Sequence, residues 1–333
     1  MIIFITSGCG GSKSSTPPQT NSSPSTHPVS SAPTTLRQIA NDIRKHSDIS
    51  GIILLSQTGN LKADVVASGI DLEQEHLFKI ASISKLFMAV AVTKLVNENA
   101  LDLRDFVSTW LPELSLSIAN AESATLKHLI THRSGIPDFD SQPGFSWDRS
   151  HTDIVATLKL IEGKPADFNP GERYAYSNSN YLLLGLVMDK VLGFSHELYI
   201  QNEILAPLGM KDTYLQQAYA PQDSLITGYW NGRDKKAQKY AIPGGSMVAS
   251  AEDIAMFMGA LNRGELLNEQ EANLYVYYHE HTGWLPGYQS IARYDALSDT
   301  VILVFTTNTG GESSSLSERA FNQIRNIVRQ RGS

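Results

Sequence analysis

The stretch Phe78-Lys79-Ile80-Ala81-Ser82-Ile83-Ser84-Lys85-Leu86-Phe87 decides how the rest of the chain is read. It sets a serine three residues ahead of a lysine, at the head of a strongly apolar run. On a helix, positions i and i+3 share a face, so the Ser82 hydroxyl and the Lys85 amine can meet. A serine hydroxyl is a weak nucleophile until a base takes its proton. A lysine held in an apolar site can have its pKa lowered far enough to be that base. The spacing alone is a weak signal, since a chain of this length should hold about one such match by chance. The bland reading is a serine near a helix start with an exposed lysine one turn on. What flanks the pair therefore matters more than the pair.

Downstream, the spacing predicts a helix to about Asn97. Its residues Leu86-Phe87-Met88-Ala89-Val90-Ala91-Val92 are apolar all round, which marks a buried helix. A buried helix is a rigid base for a nucleophile, and its N-terminal dipole favours developing negative charge. Upstream, Leu36 to Lys45 reads as a short amphipathic helix, with Leu36, Ile39, Ala40 and Ile43 on one face. Gly51 to Ser56 reads as an apolar strand, Gln57-Thr58-Gly59-Asn60 as a turn, and Leu61 to Gly69 as a second strand. About Leu101 to Tyr240 reads as helices and long loops. A helix then starts after Ser250, a plausible N-cap with Glu252 and Asp253 in the first turn. Strands return over Trp284–Tyr294 and Thr300–Thr307, separated by a polar turn at Leu297-Ser298-Asp299. The chain closes in an amphipathic helix carrying Leu316, Ala320, Ile324, Ile327 and Val328 on one face. Strands at both ends with helices between predict one sheet made from both termini and an inserted helical region.

Two further motifs supply polar groups. Asn169 to Asn178 ends in Tyr176-Ser177-Asn178. A tyrosine hydroxyl near Lys85 would have its pKa lowered by the cation and could shuttle a proton between Ser82 and a leaving group. The Asn178 amide could bond the lysine and a substrate carbonyl. The same spacing recurs at Tyr229-Trp230-Asn231, so the tripeptide is not selective. The Pro170-Gly171 lead-in and the apolar helix from Tyr181 favour Tyr176. The third motif, His281-Thr282-Gly283, opens a returning strand, where a small Gly283 would let substrate lie close to the strand edge. The backbone N–H groups of Ser82 and Trp284 would then form an oxyanion hole.

In order, spacing and flanks, these motifs resemble the serine β-lactamase-like superfamily, in its class C β-lactamase, DD-carboxypeptidase and esterase branch. Leu126 to Pro137, Pro207-Leu208-Gly209-Met210 and Gly244 to Ala255 are similar to signatures of that family. The resemblance covers nearly everything from Gly51 onward. It implies an α/β fold, with an antiparallel sheet flanked by helices and an inserted all-α domain. Residues 36–333 would form this unit, with 36–99 and 241–333 as the α/β part and 100–240 as the helical part. The resemblance also implies Ser82 as acylated nucleophile, Lys85 and Tyr176 as proton-transfer groups, and Asn178, His281, Thr282 and Gly283 as supporting residues. His128 and His132 have the i, i+4 spacing of a metal pair, but no H-E-x-x-H glutamate lies between them, and they read as structural. No metal or organic cofactor is implied.

Class C β-lactamases usually carry a lysine where this chain has His281. An imidazole near its usual pKa of ~6.5 is mostly neutral at pH 7 and would hold a substrate carboxylate less strongly. The His-Thr-Gly form is similar to DD-carboxypeptidases and to some esterases and D-amino-acid peptidases. The expectation is an acyl-enzyme hydrolase of cell-wall-type peptides, DD-carboxypeptidase-like or a D-amino-acid peptidase. The alternatives are a carboxylesterase or weak β-lactamase, and a silent penicillin- or peptidoglycan-binding protein. The variable segment Asp138 to Asn169, and an inward-pointing Arg293, would tune the pocket.

The chain has 333 residues, 41% hydrophobic and 18% charged, with a net charge of −7. That is enough for one large domain. No basic cluster points to nucleic acid. The one cysteine, Cys9, excludes an internal disulfide framework. Ile2 to Ile5 is apolar, and Thr6-Ser7-Gly8 precedes Cys9. This looks like the tail of a bacterial lipoprotein signal over residues 1–9, although its apolar run is shorter than the usual ~7–15 residues. Residues 10–35 are mostly Ser, Thr, Pro and Gly and read as a disordered linker. An exported protein anchored to the cell envelope through Cys9 is the expectation.

Overall fold

The computed structural model describes residues 33–331. The signal expected at 1–9, with Cys9, and most of the linker expected at 10–35 lie outside them. The strands run in order as β1 (Ile52–Thr58), β2 (Asp64–Ser68), β3 (Phe78–Lys79), β4 (Thr213–Tyr214), β5 (Tyr229–Trp230), β6 (Arg233–Asp234), β7 (Val248–Ala249), β8 (His281–Leu285), β9 (Tyr288–Asp295), β10 (Thr300–Thr306) and β11 (Asn308–Thr309). β1 and β2 combine with β8, β9 and β10 in one antiparallel sheet of order β2-β1-β10-β9-β8. Early and late strands meet at β1 and β10, in register from Ile52 opposite Thr306 to Thr58 opposite Thr300.

The apolar runs of β1 and β10 follow from burial on both faces. Ile52, Leu54, Ile302 and Val304 pack on one side with Leu36, Ile39 and Ile43 of the helix Leu36–Arg44 and with Leu316, Ala320 and Ile324 of the helix Ser313–Arg331. Ile53, Leu55, Val301, Leu303 and Phe305 turn to the other side, into the larger core. That core includes the helices Ser84–Asn97 and Ala251–Asn262, joined by Phe87 stacked on Phe257 at 3.7 Å between ring centroids. Ser250 caps the second of these helices, its hydroxyl accepting from the Asp253 N–H at 3.1 Å.

The stretch Trp284–Tyr294 is two strands rather than one. The chain folds back at Pro286-Gly287, so Leu285 faces Tyr288. Gly287 has φ +88° there, and a Cβ would lie 2.7 Å from the Gly228 carbonyl carbon. Only glycine meets both conditions without strain. The region between about 100 and 240 also holds β4, β5 and β6. β4 pairs with β7, and β7 with β3, so this region is linked through β7 to the strand that leads into Ser82. Among the described residues, no helix is long and apolar enough to cross a membrane.

Candidate active site

β3 delivers the chain to a tight 3-10 turn, Ala81–Ile83, and the α-helix begins only at Ser84. Ser82 therefore lies in the turn ahead of the helix rather than within it. Ala81 holds φ +52°, a conformation that costs an L-residue ~1–2 kcal/mol. The Ser84 hydroxyl steadies this turn, donating to the Ala81 carbonyl at 2.6 Å and accepting from the Met247 N–H at 3.3 Å.

Lys85 is buried. Its Nζ donates to Ser82 Oγ at 3.1 Å, Asn178 Oδ1 at 2.9 Å and the Gly244 carbonyl at 3.0 Å. Burial pulls its pKa down to about 7, against the opposing pull of Asp138 and Asp140. The Tyr176 hydroxyl donates to Ser82 Oγ at 2.9 Å. Its pKa moves opposite to the sequence expectation. Burial pushes it up, with Asp138 and Asp140 adding to the push, and the hydrogen bond to Ser82 only partly opposes them. The aromatic ring, not the hydroxyl, faces the ammonium, 5.1 Å from Lys85 Nζ. Tyr176 thus keeps its proton.

His132 and His281 complete a bonded chain around Tyr277, with His132 buried and His281 half-buried. The His132 ring stacks under Tyr176 at 4.3 Å, and its Nδ1 accepts from the Ser177 N–H at 3.2 Å. Its Nε2 therefore carries the proton and faces the Tyr277 oxygen at 3.4 Å. The Tyr277 hydroxyl lies 2.8 Å from His281 Nε2, and His281 Nδ1 donates to the Thr282 carbonyl at 2.5 Å. Burial, with the Lys85 charge, pulls His281 down to about 4 and His132 to about 3. Both imidazoles are neutral at pH 7, and both His281 nitrogens are already bonded. His128 has a different task. It closes a capping box with Thr125, its Nδ1 accepting from the Thr125 N–H at 3.2 Å.

Packing adds its own requirement for Gly283. A Cβ there would lie 2.3 Å from the Ile80 carbonyl oxygen and 2.3 Å from Ser290 Oγ. The missing side chain lets β8 close on the turn that carries Ser82. β8 is an edge strand. The two-residue turn makes Leu285–Tyr288 a bonded pair. Alternation along the ladder then leaves the Trp284 N–H pointing away from β9, to the open edge. Ser82 and Trp284 both line a cavity of about 500 Å³, as do Tyr176, Asn178, His281 and Thr282. Trp147, Ile242 and Leu285 contribute apolar wall, and Asp138 and Asp140 line it too.

The acidic pair and Trp147 escaped the sequence reading beyond the variable segment that holds them. Asn178 Nδ2 donates to Asp138 Oδ2 and to Asp140 Oδ2, each at 3.3 Å. Asp138 Oδ1 is buried without a hydrogen-bond partner. Burial raises both carboxyl pKa values, and Asp140 adds to the rise at Asp138. The only forerunner in the sequence is the Asp-Phe-Asp run after Gly135-Ile136-Pro137. Arg293, expected as a possible pocket residue, faces elsewhere. It donates to both Glu318 oxygens at 2.8 Å and lies over Phe321. Among the described residues, no group of three or more His, Cys, Asp and Glu side chains is placed to hold a metal ion.

The sheet, the turn carrying Ser82 and the bonded polar set together define a serine-hydrolase class of fold. The Beta-lactamase family profile matches residues 39–278, and the chain belongs to that family. It is 32% identical over 178 residues to penicillin-binding protein 4* of Bacillus subtilis (strain 168), covering 52% of this chain and 38% of that protein. It is also 32% identical over 185 residues to protein flp of Staphylococcus aureus (strain COL), covering 53% of this chain and 37% of that protein. The matches thus span well under half of these curated relatives. The D-amino acid amidase of Ochrobactrum anthropi SV3, complexed with L-phenylalanine, superposes with a TM-score of 0.78 at 22% identity, covering 90% of this chain and 99% of that one. The penicillin binding protein of Bacillus halodurans gives 0.71 at 24% identity, covering 87% and 98%. These likenesses show the fold.

Proposed function

We propose that the protein is a serine hydrolase that forms an acyl-enzyme on Ser82 and acts on small amides or peptides of D-amino acids bearing a free amino group. One observation carries the catalytic part: Ser82 Oγ lies between Lys85 Nζ at 3.1 Å and the Tyr176 hydroxyl at 2.9 Å. Neutral Lys85 takes the Ser82 proton as Oγ attacks the carbonyl carbon. The N–H groups of Ser82 and Trp284 receive the oxyanion. Tyr176, which keeps its proton, passes it to the leaving nitrogen and is reprotonated at the expense of the Lys85 ammonium. Water then cleaves the ester, with Lys85 again as base.

The charge of the cavity supports the substrate class. A DD-carboxypeptidase substrate and a β-lactam each present a carboxylate. Among the described residues lining the cavity there is no Lys or Arg, and His281 is neutral and fully bonded. Lys85 is already spent on three acceptors. Two carboxyl groups do line the cavity. A carboxylate ~5 Å from one of them is repelled by about 3 kcal/mol at an effective dielectric of ~20, and an ammonium is attracted as strongly. The D-configuration rests on likeness to a D-amino acid amidase and a penicillin-binding protein. A second reading, a carboxylesterase, is favoured by the Trp147 and Trp284 wall, which suits neutral acyl groups.

Hydrolysis of a D-amino acid amide, its N-acetyl derivative, an N-acylated D-Ala-D-Ala peptide, nitrocefin and an uncharged aryl ester separates these readings. The free amine is expected to be hydrolysed at least tenfold more efficiently than its N-acetyl form. Asp138→Asn should erase that preference and change ester turnover much less. Efficient release of D-alanine from the peptide, or nitrocefin turnover at the rate of a dedicated β-lactamase, would overturn the substrate class. Ester turnover alone would select the esterase. The proposal extends to an envelope location through lipidated Cys9, supported by the Thr6-Ser7-Gly8-Cys9 run and the Ser/Thr/Pro-rich segment after it. Palmitate labelling of wild type but not Cys9→Ala is the expected result.

A further inference from the structure

A second lysine lies beside the site, and the catalytic scheme does not use it. Lys79 ends β3, three residues ahead of Ser82, and is 3% exposed. Its Nζ donates to three backbone carbonyls of one loop: Lys235 at 2.9 Å, Lys236 at 3.0 Å and Gln238 at 2.7 Å. The ring of Tyr288 on β9 lies 4.8 Å from the same nitrogen. An ammonium has three protons to give, and here each meets an oxygen. All three acceptors are carbonyls rather than carboxylates, so the cation has no ion-pair partner among its hydrogen bonds.

The loop it grips carries the aromatic wall of the cavity. Gln238 Nε2 donates to the Trp147 carbonyl at 2.5 Å, and the Tyr240 hydroxyl donates to the same oxygen at 3.0 Å. Lys235 Nζ pairs with Asp148 at 2.7 Å. The His151 N–H donates to the Lys239 carbonyl, and the Ala241 N–H to that of His151. Trp147 meets Trp284 edge-on at 6.0 Å, and Trp284 meets Trp230 at 6.2 Å. A continuous set of contacts therefore runs from Lys79 through the loop to Trp147, and along β3 to Ser82.

We propose that Lys79 is a positioning residue: its protonated ammonium holds the 235–240 loop, and through it Trp147, at a fixed distance from the nucleophile. Loss of one proton removes one of the three donors and turns a lone pair toward a carbonyl oxygen. The grip then weakens and the Trp147 wall loosens. Burial pulls the Lys79 pKa down to about 7, and Asp234 on β6 opposes that pull. Of the other charged groups around the loop, Lys236 pairs with Glu75 at 2.7 Å and Lys235 with Asp148, while Lys239 and Arg233 are exposed to solvent. Tyr288 keeps its proton, its pKa pushed up by burial. The wall is therefore tight below neutral pH and loose above it. The kinetic consequence rests on the hydrolase reading, but the structural one does not.

Three of the four tryptophans, Trp147, Trp230 and Trp284, belong to this aromatic cluster, so intrinsic fluorescence reports its state without substrate. Emission of the full chain should be titrated from pH 6 to pH 9 in wild type, Lys79→Arg, Lys79→Met and Lys85→Met. Wild type and Lys85→Met are expected to shift with a midpoint near 7. Lys79→Arg, which stays charged, is expected to remain flat in the low-pH state. Lys79→Met, if it folds, should show the high-pH emission throughout. With an uncharged aryl ester, KM should rise several-fold from pH 6.5 to pH 9 in wild type and stay level in Lys79→Arg. A flat wild-type titration, a shift that survives in Lys79→Arg, or one lost in Lys85→Met would overturn the proposal. If the ester is not turned over, the fluorescence result still decides it.

Discussion

At Lys85, burial opposes charge, and in the proposed mechanism the outcome sets the pH at which Ser82 can react. Its folded pKa of about 7 lies below that of a solvated lysine. Below that value the amine is protonated and, on the proposed mechanism, leaves Ser82 without a base; above it the amine is free. The rate of Ser82 phosphonylation is expected to rise with pH, with a midpoint near 7. Lys85→Arg, which stays protonated, should remain slow to pH 9. Tyr176→Phe removes the proton donor but keeps the ring on His132. It should lower kcat by roughly 10²–10⁴-fold and leave the melting temperature nearly unchanged. Ser82, Lys85, Tyr176 and Asn178 were legible because each stands in a short motif, and the structure brings all four within hydrogen-bond reach. The direction of the Tyr176 shift was not legible. It depends on enclosure and on two carboxylates from another loop. Asp138 and Asp140 were hidden for the same reason, since their partner Asn178 lies on a distant helix, and Tyr277 because it joins the nearby His281 to the distant His132.

At the scale of elements, β8 and the Ala81–Ile83 turn act as one unit, because Gly283 lets them touch. Gly283→Ala places a methyl 2.3 Å from backbone and side-chain oxygens, so the strand must move. The strain is roughly 1–3 kcal/mol. The next residue is Trp284, so kcat should fall by more than tenfold while the protein still folds at 25 °C. Circular dichroism beside turnover of an aryl ester checks both halves. The buried helix after Ser82 was legible from its all-round apolar run, and the helix Ser313–Arg331 from its stripe. The turn at Pro286-Gly287 was missed, although Pro-Gly is a turn signal. Apolar character continues through Leu285 and Tyr288 on either side of it, because both are buried.

Over the whole molecule, the sheet separates a site face from a supporting face. The helices Leu36–Arg44 and Ser313–Arg331 cover the side away from the larger core and leave the cavity untouched. Ile324→Ala should therefore cost ~2–5 kcal/mol of stability, read by urea unfolding, with little change in KM or kcat. Arg293→Ala breaks a partly exposed pair with Glu318 worth ~0–1 kcal/mol and should leave KM unchanged. The sheet built from both chain ends was legible in the distribution of strands along the sequence. Its order and register were not, because pairing between β1 and β10 joins residues some 250 positions apart. The central claim is that Ser82 is an activated nucleophile. Intact-protein mass after incubation with a fluorophosphonate tests it most directly, comparing wild type with Ser82→Ala. The expected result is one adduct on wild type and none on Ser82→Ala. An unmodified, folded wild type, or an adduct of the same mass on both proteins, would contradict it.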